Sequence, residues 1–322
     1  MSKHLFLVAL AAAVACLLSG CGGTEILPAM RPLPKETVEL LAKKGMTAEA
    51  PIYIRIFKEE SELEVWKQRA DGHFYHFKTY PICNWSGELG PKERQGDKQA
   101  PEGFYTITQS QMNPNSSYHL AFNLGFPNNY DKAHKRTGEF LMVHGKCKSA
   151  GCYAMTDALI EEIYGLAREQ FIAGNESFQV HAFPFRMTDA NLARYRKHKW
   201  YPFWRTLKEG YDYFEMTRQL PQIAVCERRY IVNVKFLGNG ASRLDPEGQC
   251  PAFERPRPMP FTPMGNQQIA ETRLMAPGVK MRQVASTETG STSTGGGDMS
   301  TYSGAPTKPA QPTALGYAPA GN

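Results

Sequence analysis

Residues 141–155 read LMVHGKCKSAGCYAM. The apolar run predicts a strand that ends at His144. A loop with Gly145 follows, and Cys152 stands just ahead of Thr156, the expected N-cap of a helix. A thiol of pKa ~8.5 becomes a thiolate near neutral pH beside an imidazole or at a helix N-terminus, and this spacing offers both. His144 is then placed to take the thiol proton and later return one to a leaving amine. Ala150 and Gly151 are small enough for the backbone amides at Gly151 and Cys152 to meet a developing oxyanion, with Ser149 bracing the loop or the imidazole. Two other readings of the same residues stand beside this one. One is a Cys147–Cys152 disulfide next to a core His144. The other is zinc held by His144, Cys147 and Cys152, although no HExxH partner motif accompanies them.

Outward from this stretch, Ile52, Ile54 and Ile56 alternate as in a half-buried strand, and 63–68 and 73–80 continue a meander through a turn at Asp71-Gly72. Residues 103–108 and 139–143 predict two more strands. The Asn- and Gly-rich segment between them, 109–138, reads as a long functional loop. After Thr156, apolar residues recur at helical spacing until Gly174, and a strand returns at 178–183. Short helices are expected at 188–199 and 202–207, and a hairpin at 222–225 with 230–236. The 322 residues divide into a leader (1–20), a tether (21–49), one β-rich domain with flanking helices (50–250) and a disordered Pro/Gly/Ser/Thr-rich tail (251–322). A mean hydropathy of −0.44 excludes a polytopic membrane protein. A net charge of +6 without a base-binding motif excludes nucleic acid as partner, while an acidic polymer remains compatible.

The N-terminus sets the compartment. Lys3 and His4 precede an apolar run of 14 residues, 5–18, shorter than the ~20 of a membrane-spanning helix. Leu18-Ser19-Gly20-Cys21 resembles the bacterial lipobox, which implies a diacylglycerol on Cys21 and a lipid-anchored periplasmic protein. Gly22, in place of Asp, favours the inner leaflet of the outer membrane. Cys16 and Cys21 aside, five cysteines remain, so at least one exported thiol stays unpaired.

The wider pattern is more specific. His144-Gly145 and Ser149-x-Gly151-Cys152-x-x-Met155, with GDKQAPEGFYTI at 96–107, resemble the L,D-transpeptidase catalytic domain, the YkuD family. IRIFKEE (54–60), PICNWSG (81–87), LGPK (89–92), NLGFPN (123–128), YDKAH (130–134), CYAMT (152–156) and PFRMTD (184–189) resemble its YafK-like subgroup, over about residues 50–235. The resemblance implies an L,D-transpeptidase-like β-sandwich or barrel and a cysteine enzyme of peptidoglycan stem peptides that needs no metal or organic cofactor. Cys152 would be the nucleophile, His144 the general base and the Gly151 backbone the oxyanion donor. His134, Gly145 and Tyr153 are assigned to the substrate groove, with Lys132, Lys135 and Arg136 attracting its carboxylates. Ala150 and Ala154 depart from the family's usual His and Arg. That favours the subgroup's amidase-type reaction, release of an outer-membrane lipoprotein from diaminopimelate, while the sequence leaves both water and an amine open as acyl acceptor. A peptidoglycan-binding lipoprotein without turnover, and a redox or metal-binding lipoprotein using Cys147 and Cys152, are the other classes. An acting Cys152 must stay reduced, which leaves Cys226–Cys250 and Cys83–Cys147 as the expected pairs. Arg186 is read as a structural partner of Asp189, and Tyr105 as packing.

Overall fold

The structure is a computed structural model that describes residues 26–262. The leader, the Cys21 anchor and the tail beyond 262 lie outside the described residues. In chain order the elements begin with α1 (Lys35–Lys43), β1 (Ile52–Phe57), β2 (Glu62–Gln68), β3 (Phe74–Pro81) and β4 (Asn84–Trp85). Next come β5 (Gly103–Thr108), β6 (Met112–Ser116), β7 (His119–Asn123), α2 (Asn129–Ala133), β8 (Met142–His144) and β9 (Tyr153–Ala154). Then follow α3 (Asp157–Ile172), β10 (Ser177–Phe183), α4 (Asp189–Arg194) and α5 (Tyr201–Thr217). The short strands β11 (Ile223–Cys226), β12 (Arg229–Val232), β13 (Lys235–Phe236) and β14 (Phe253–Glu254) close the series. Two five-stranded sheets form, in the orders β3-β2-β1-β10-β5 and β4-β9-β8-β7-β6. Their apolar side chains, with those of α3, make the main core: Ile54, Phe77 and Val180 from the first sheet, Phe122, Val143 and Tyr153 from the second.

β1 is buried along its whole length rather than on one face. Ile52, Ile54 and Ile56 enter the main core, as their alternation predicts. The opposite face, Tyr53, Arg55 and Phe57, is covered as well: Phe214 of α5 packs on Tyr53 and Tyr211 on Phe57. Arg55 is tolerated there because Glu64 at 2.8 Å and Glu215 at 2.5 Å neutralise it. Burial would raise the Glu64 carboxyl, but the guanidinium groups of Arg55 and Arg186 hold it down at about 2.

α5 is a full helix of 17 residues, where the sequence pattern predicts only a fragment at 202–207. Its buried positions Phe203, Trp204, Leu207, Tyr211 and Phe214 keep helical spacing, but Gly210 interrupts their pattern. The glycine is there for contact: a Cβ at 210 would lie 2.7 Å from the Phe104 ring. The expected 188–199 helix shortens to α4. The segment 109–138 is not a loop either; it supplies β6, β7 and α2. The strand expected at 139–143 begins only at Met142, and the 230–236 strand breaks after Val232, its remainder pairing with β14 instead.

Both expected domain edges move outward. The supposed tether packs on α3: Ala29 and Leu41 are buried, the Arg168 guanidinium donates to the carbonyls of Ala29 and Arg31, and Thr37 donates to Glu162. At the other end Phe261 lies 4.8 Å from the His73 ring and 5.6 Å from that of Tyr75, and its amide donates to Met216. Truncation after Thr262 is therefore expected to leave the melting temperature unchanged. Truncation after Arg257 should cost about 1 kcal/mol, the value of one aromatic contact, read from paired thermal melts.

Candidate active site

β8 and β9 are parallel, with Val143 opposite Tyr153 and His144 opposite Ala154. Continued by one residue, that register sets Cys152 beside Met142, and the Met142 amide indeed points at Cys152 Sγ from 3.4 Å. Residues two apart on a strand share a face, so His144 and Cys152 share one face of the sheet. Cys152 is half-buried and is the free cysteine among the described residues. Cys83–Cys147 and Cys226–Cys250 are joined, with Cα separations of 5.3 and 5.1 Å. The Cys147–Cys152 bridge and the zinc set that needed Cys147 are thus not assembled.

His144 is buried, and its Nδ1 lies 2.6 Å from the Gly145 carbonyl. A carbonyl only accepts, so Nδ1 carries the proton and Nε2 keeps a lone pair. Burial lowers the imidazole pKa, partly countered by this bond. The Tyr118 ring lies over the imidazole at 4.6 Å. Gly145 has to be glycine: a Cβ would lie 2.5 Å from Asp157 Oδ1 and 2.9 Å from the Tyr118 carbonyl. Its amide donates to the carbonyls of Tyr118 and Leu120, and the next amide, of Lys146, donates to Asp157. Gly145 thus contributes close packing and a carbonyl that accepts from His144 Nδ1. Gly145→Ala should destabilise by about 1–3 kcal/mol in a denaturant titration and lower turnover more than substrate binding, because it shifts the partner of Nδ1.

Burial also pushes the Cys152 thiol up, against the lowering effects of the Met142 amide and the charge of Lys92. The helix N-terminus expected beside Cys152 does not reach it, since β9 and the cap residue Thr156 intervene before α3. Burial thus disfavours the charged form of both groups, the thiolate and the imidazolium. Lys92, to which no sequence motif assigns a role, is buried; it pairs with Asp97 and donates to the Arg94 carbonyl at 2.9 Å. It stands 60 residues from Cys152 in sequence, and the LGPK stretch that contains it does not link it to the thiol.

Ser149 supports the loop, not the imidazole. Its Oγ donates to the Cys152 carbonyl at 2.7 Å and accepts from the amides of Gly151 at 3.3 Å and Cys152 at 3.1 Å. The two expected oxyanion donors thus converge on one point, taken here by a hydroxyl. Three groove assignments are corrected. Tyr153 is fully buried and donates to the Pro101 carbonyl at 2.6 Å, so it is core. His134 is engaged locally: its ring stacks on Tyr130 and its Nδ1 donates to the Tyr130 carbonyl on α2. Arg136 is buried against Asp131 at 2.8 Å and cannot attract a substrate carboxylate. Arg186 is structural as expected, but its partners are Glu62 and Glu64, not Asp189. Tyr105 is packing, as expected.

A half-buried thiol and an imidazole on neighbouring strands of a two-sheet, mainly β domain define a class: the chain belongs to the L,D-transpeptidase catalytic domain (YkuD) family, transferases that act on peptidoglycan stem peptides, and the domain matches residues 51–174. Within it, the chain is 47% identical over 184 residues, 57% of its own length and 74% of the relative's, to the Escherichia coli K12 protein named "Putative L,D-transpeptidase YafK". The protein of the same name from Escherichia coli O157:H7 matches equally. Among solved structures, the helical cell shape determining protein Pgp2 of Campylobacter jejuni aligns with a TM-score of 0.34 at 21% identity, over 46% of this chain and 55% of that one. Bdellovibrio bacteriovorus Bd1075 aligns with a TM-score of 0.30 at 18% identity, over 52% and 59%. The chain spans a little over half the length of either.

Proposed function

We propose that the chain is an exported cysteine acyl-transfer enzyme of peptidoglycan, anchored through Cys21 in the periplasm on the inner leaflet of the outer membrane. Cys152 Sγ attacks the carbonyl on the L-centre of meso-diaminopimelate in a stem peptide while His144 Nε2 takes the thiol proton. The C–N bond breaks, the imidazolium returns the proton to the leaving amine, and a thioester remains on Cys152. Water or an amine then attacks the thioester; with water, an attached lipoprotein is released. The oxyanion replaces Ser149 Oγ at the amides of Gly151 and Cys152, which now donate to that hydroxyl at 3.3 and 3.1 Å. The observation that carries this reading is the commitment of His144 Nδ1 to a carbonyl, which leaves Nε2 as a base on the same sheet face as the free thiol.

Sacculi carrying covalently bound lipoprotein, incubated with the enzyme, should yield free lipoprotein and muropeptides ending in intact diaminopimelate by mass spectrometry. Cross-linked muropeptides without release would make it a transpeptidase instead. No product of either kind would remove the reading. The neutral imidazole also fixes a pH response. His144 works deprotonated and burial lowers its pKa, so kcat/KM should hold as pH falls through ~6.5 and decline only below it.

A further inference from the structure

The first described residues leave apolar surface uncovered. Ile26, Leu27 and Met30 are 55%, 70% and 52% exposed, while Ala29 among them is buried. The segment is fixed in place: Arg168 binds the carbonyls of Ala29 and Arg31 at 2.8 Å each, and Arg31 pairs with Glu161 at 2.8 Å. Three large apolar side chains within five residues, held toward solvent, mark a surface that something covers. Only four residues separate Ile26 from Cys21. Even fully extended, that connection reaches no more than ~18 Å. Among the described residues no helix is long and apolar enough to cross a membrane, so contact with lipid there would be through a surface.

We propose that Ile26, Leu27 and Met30 dock into the headgroup–acyl boundary of the leaflet that holds Cys21, fixing the domain on the bilayer instead of leaving it on a tether. The inference rests on the lipid anchor of the preceding section. Insertion of a second apolar element beside acyl chains is how interfacial segments gain residence. The docked segment also reaches the site. The Glu161 oxygen that takes Arg31 also binds His119 Nε2 at 2.6 Å, and His119 follows Tyr118, whose ring covers His144.

The test uses the lipidated full chain carrying Leu27→Trp in vesicles of phosphatidylethanolamine and phosphatidylglycerol with brominated acyl chains. Trp66, Trp85 and Trp204 are buried and Trp200 half-buried, so the added indole reports the patch. The bromines should quench the added emission roughly twofold or more, and Ile26→Asp with Met30→Asp should abolish that quenching. Unquenched emission from the added indole, in a chain whose N-terminal peptide carries the lipid mass, would overturn the docking. Absence of the lipid mass from Cys21 would overturn it through the anchor instead, so the peptide mass separates the two failures.

Discussion

Cys152→Ala is expected to abolish release from sacculi, with a fall in kcat on the order of 10⁵ or more, because the covalent route then has no nucleophile. The fold should not register the change. The thiol's contacts are a long bond from the Met142 amide and a 3.5 Å approach to the Phe140 carbonyl, and neither holds the loop. The loop is held by the Cys83–Cys147 bridge, by Ser149 and by the Lys146–Asp157 bond, all untouched. Melting within about 1 °C of wild type alongside lost turnover is the expected pair of results. Retained turnover in the purified variant would displace Cys152 from the mechanism.

Glu102→Ala should give the largest loss of stability. Lys58 and Glu102 are both fully buried and paired at 3.0 Å. Glu102 also accepts from the Gly90 amide at 2.7 Å and the Trp204 indole at 2.8 Å, so one carboxylate ties the 88–102 loop to β1 and α5. Removing it leaves the buried Lys58 ammonium, whose pKa burial already lowers, with the Glu88 and Gly90 carbonyls as acceptors but no counter-charge. The cost of orphaning such a charge is about 3–5 kcal/mol. For a domain of this size that is roughly 10 °C of melting temperature. Lys58→Met combined with Glu102→Leu should recover most of it, because the desolvation of both charges disappears with the pair. A double variant as unstable as Glu102→Ala would show that the hydrogen bonds, not the charge, dominate.

Sequence reasoning reaches what is local. His144 and Cys152 lie eight residues apart on either side of one loop, so strand pattern and residue type together mark them. The Ile52–Ile56 alternation names the face of β1 that enters the main core, since period two is written in consecutive residues. It cannot name the covered opposite face, because the cover is α5, some 150 residues away. Tyr118 over His144 and Lys92 near Cys152 escape for the same reason: each arrives from another part of the chain by tertiary pairing. Tyr153 misleads through its neighbour. Adjacent residues on a strand point to opposite faces, so the residue after Cys152 enters the core. The N-terminal segment misleads through composition, its prolines suggesting a tether while its contacts to Glu161, Glu162 and Arg168 bind it to α3.

The proposed mechanism centres on a thiol at Cys152 that His144 would deprotonate and that would form a thioester with the stem peptide. Intact-protein mass spectrometry after acid quench of enzyme mixed with diaminopimelate-containing muropeptide tests it most directly. The expected result is a mass increase equal to the acyl fragment, located on the peptide containing Cys152, removed by hydroxylamine and absent from His144→Ala at equal time. Turnover of the same substrate with no adduct at any quench time, or an adduct that persists in Cys152→Ala, would contradict it.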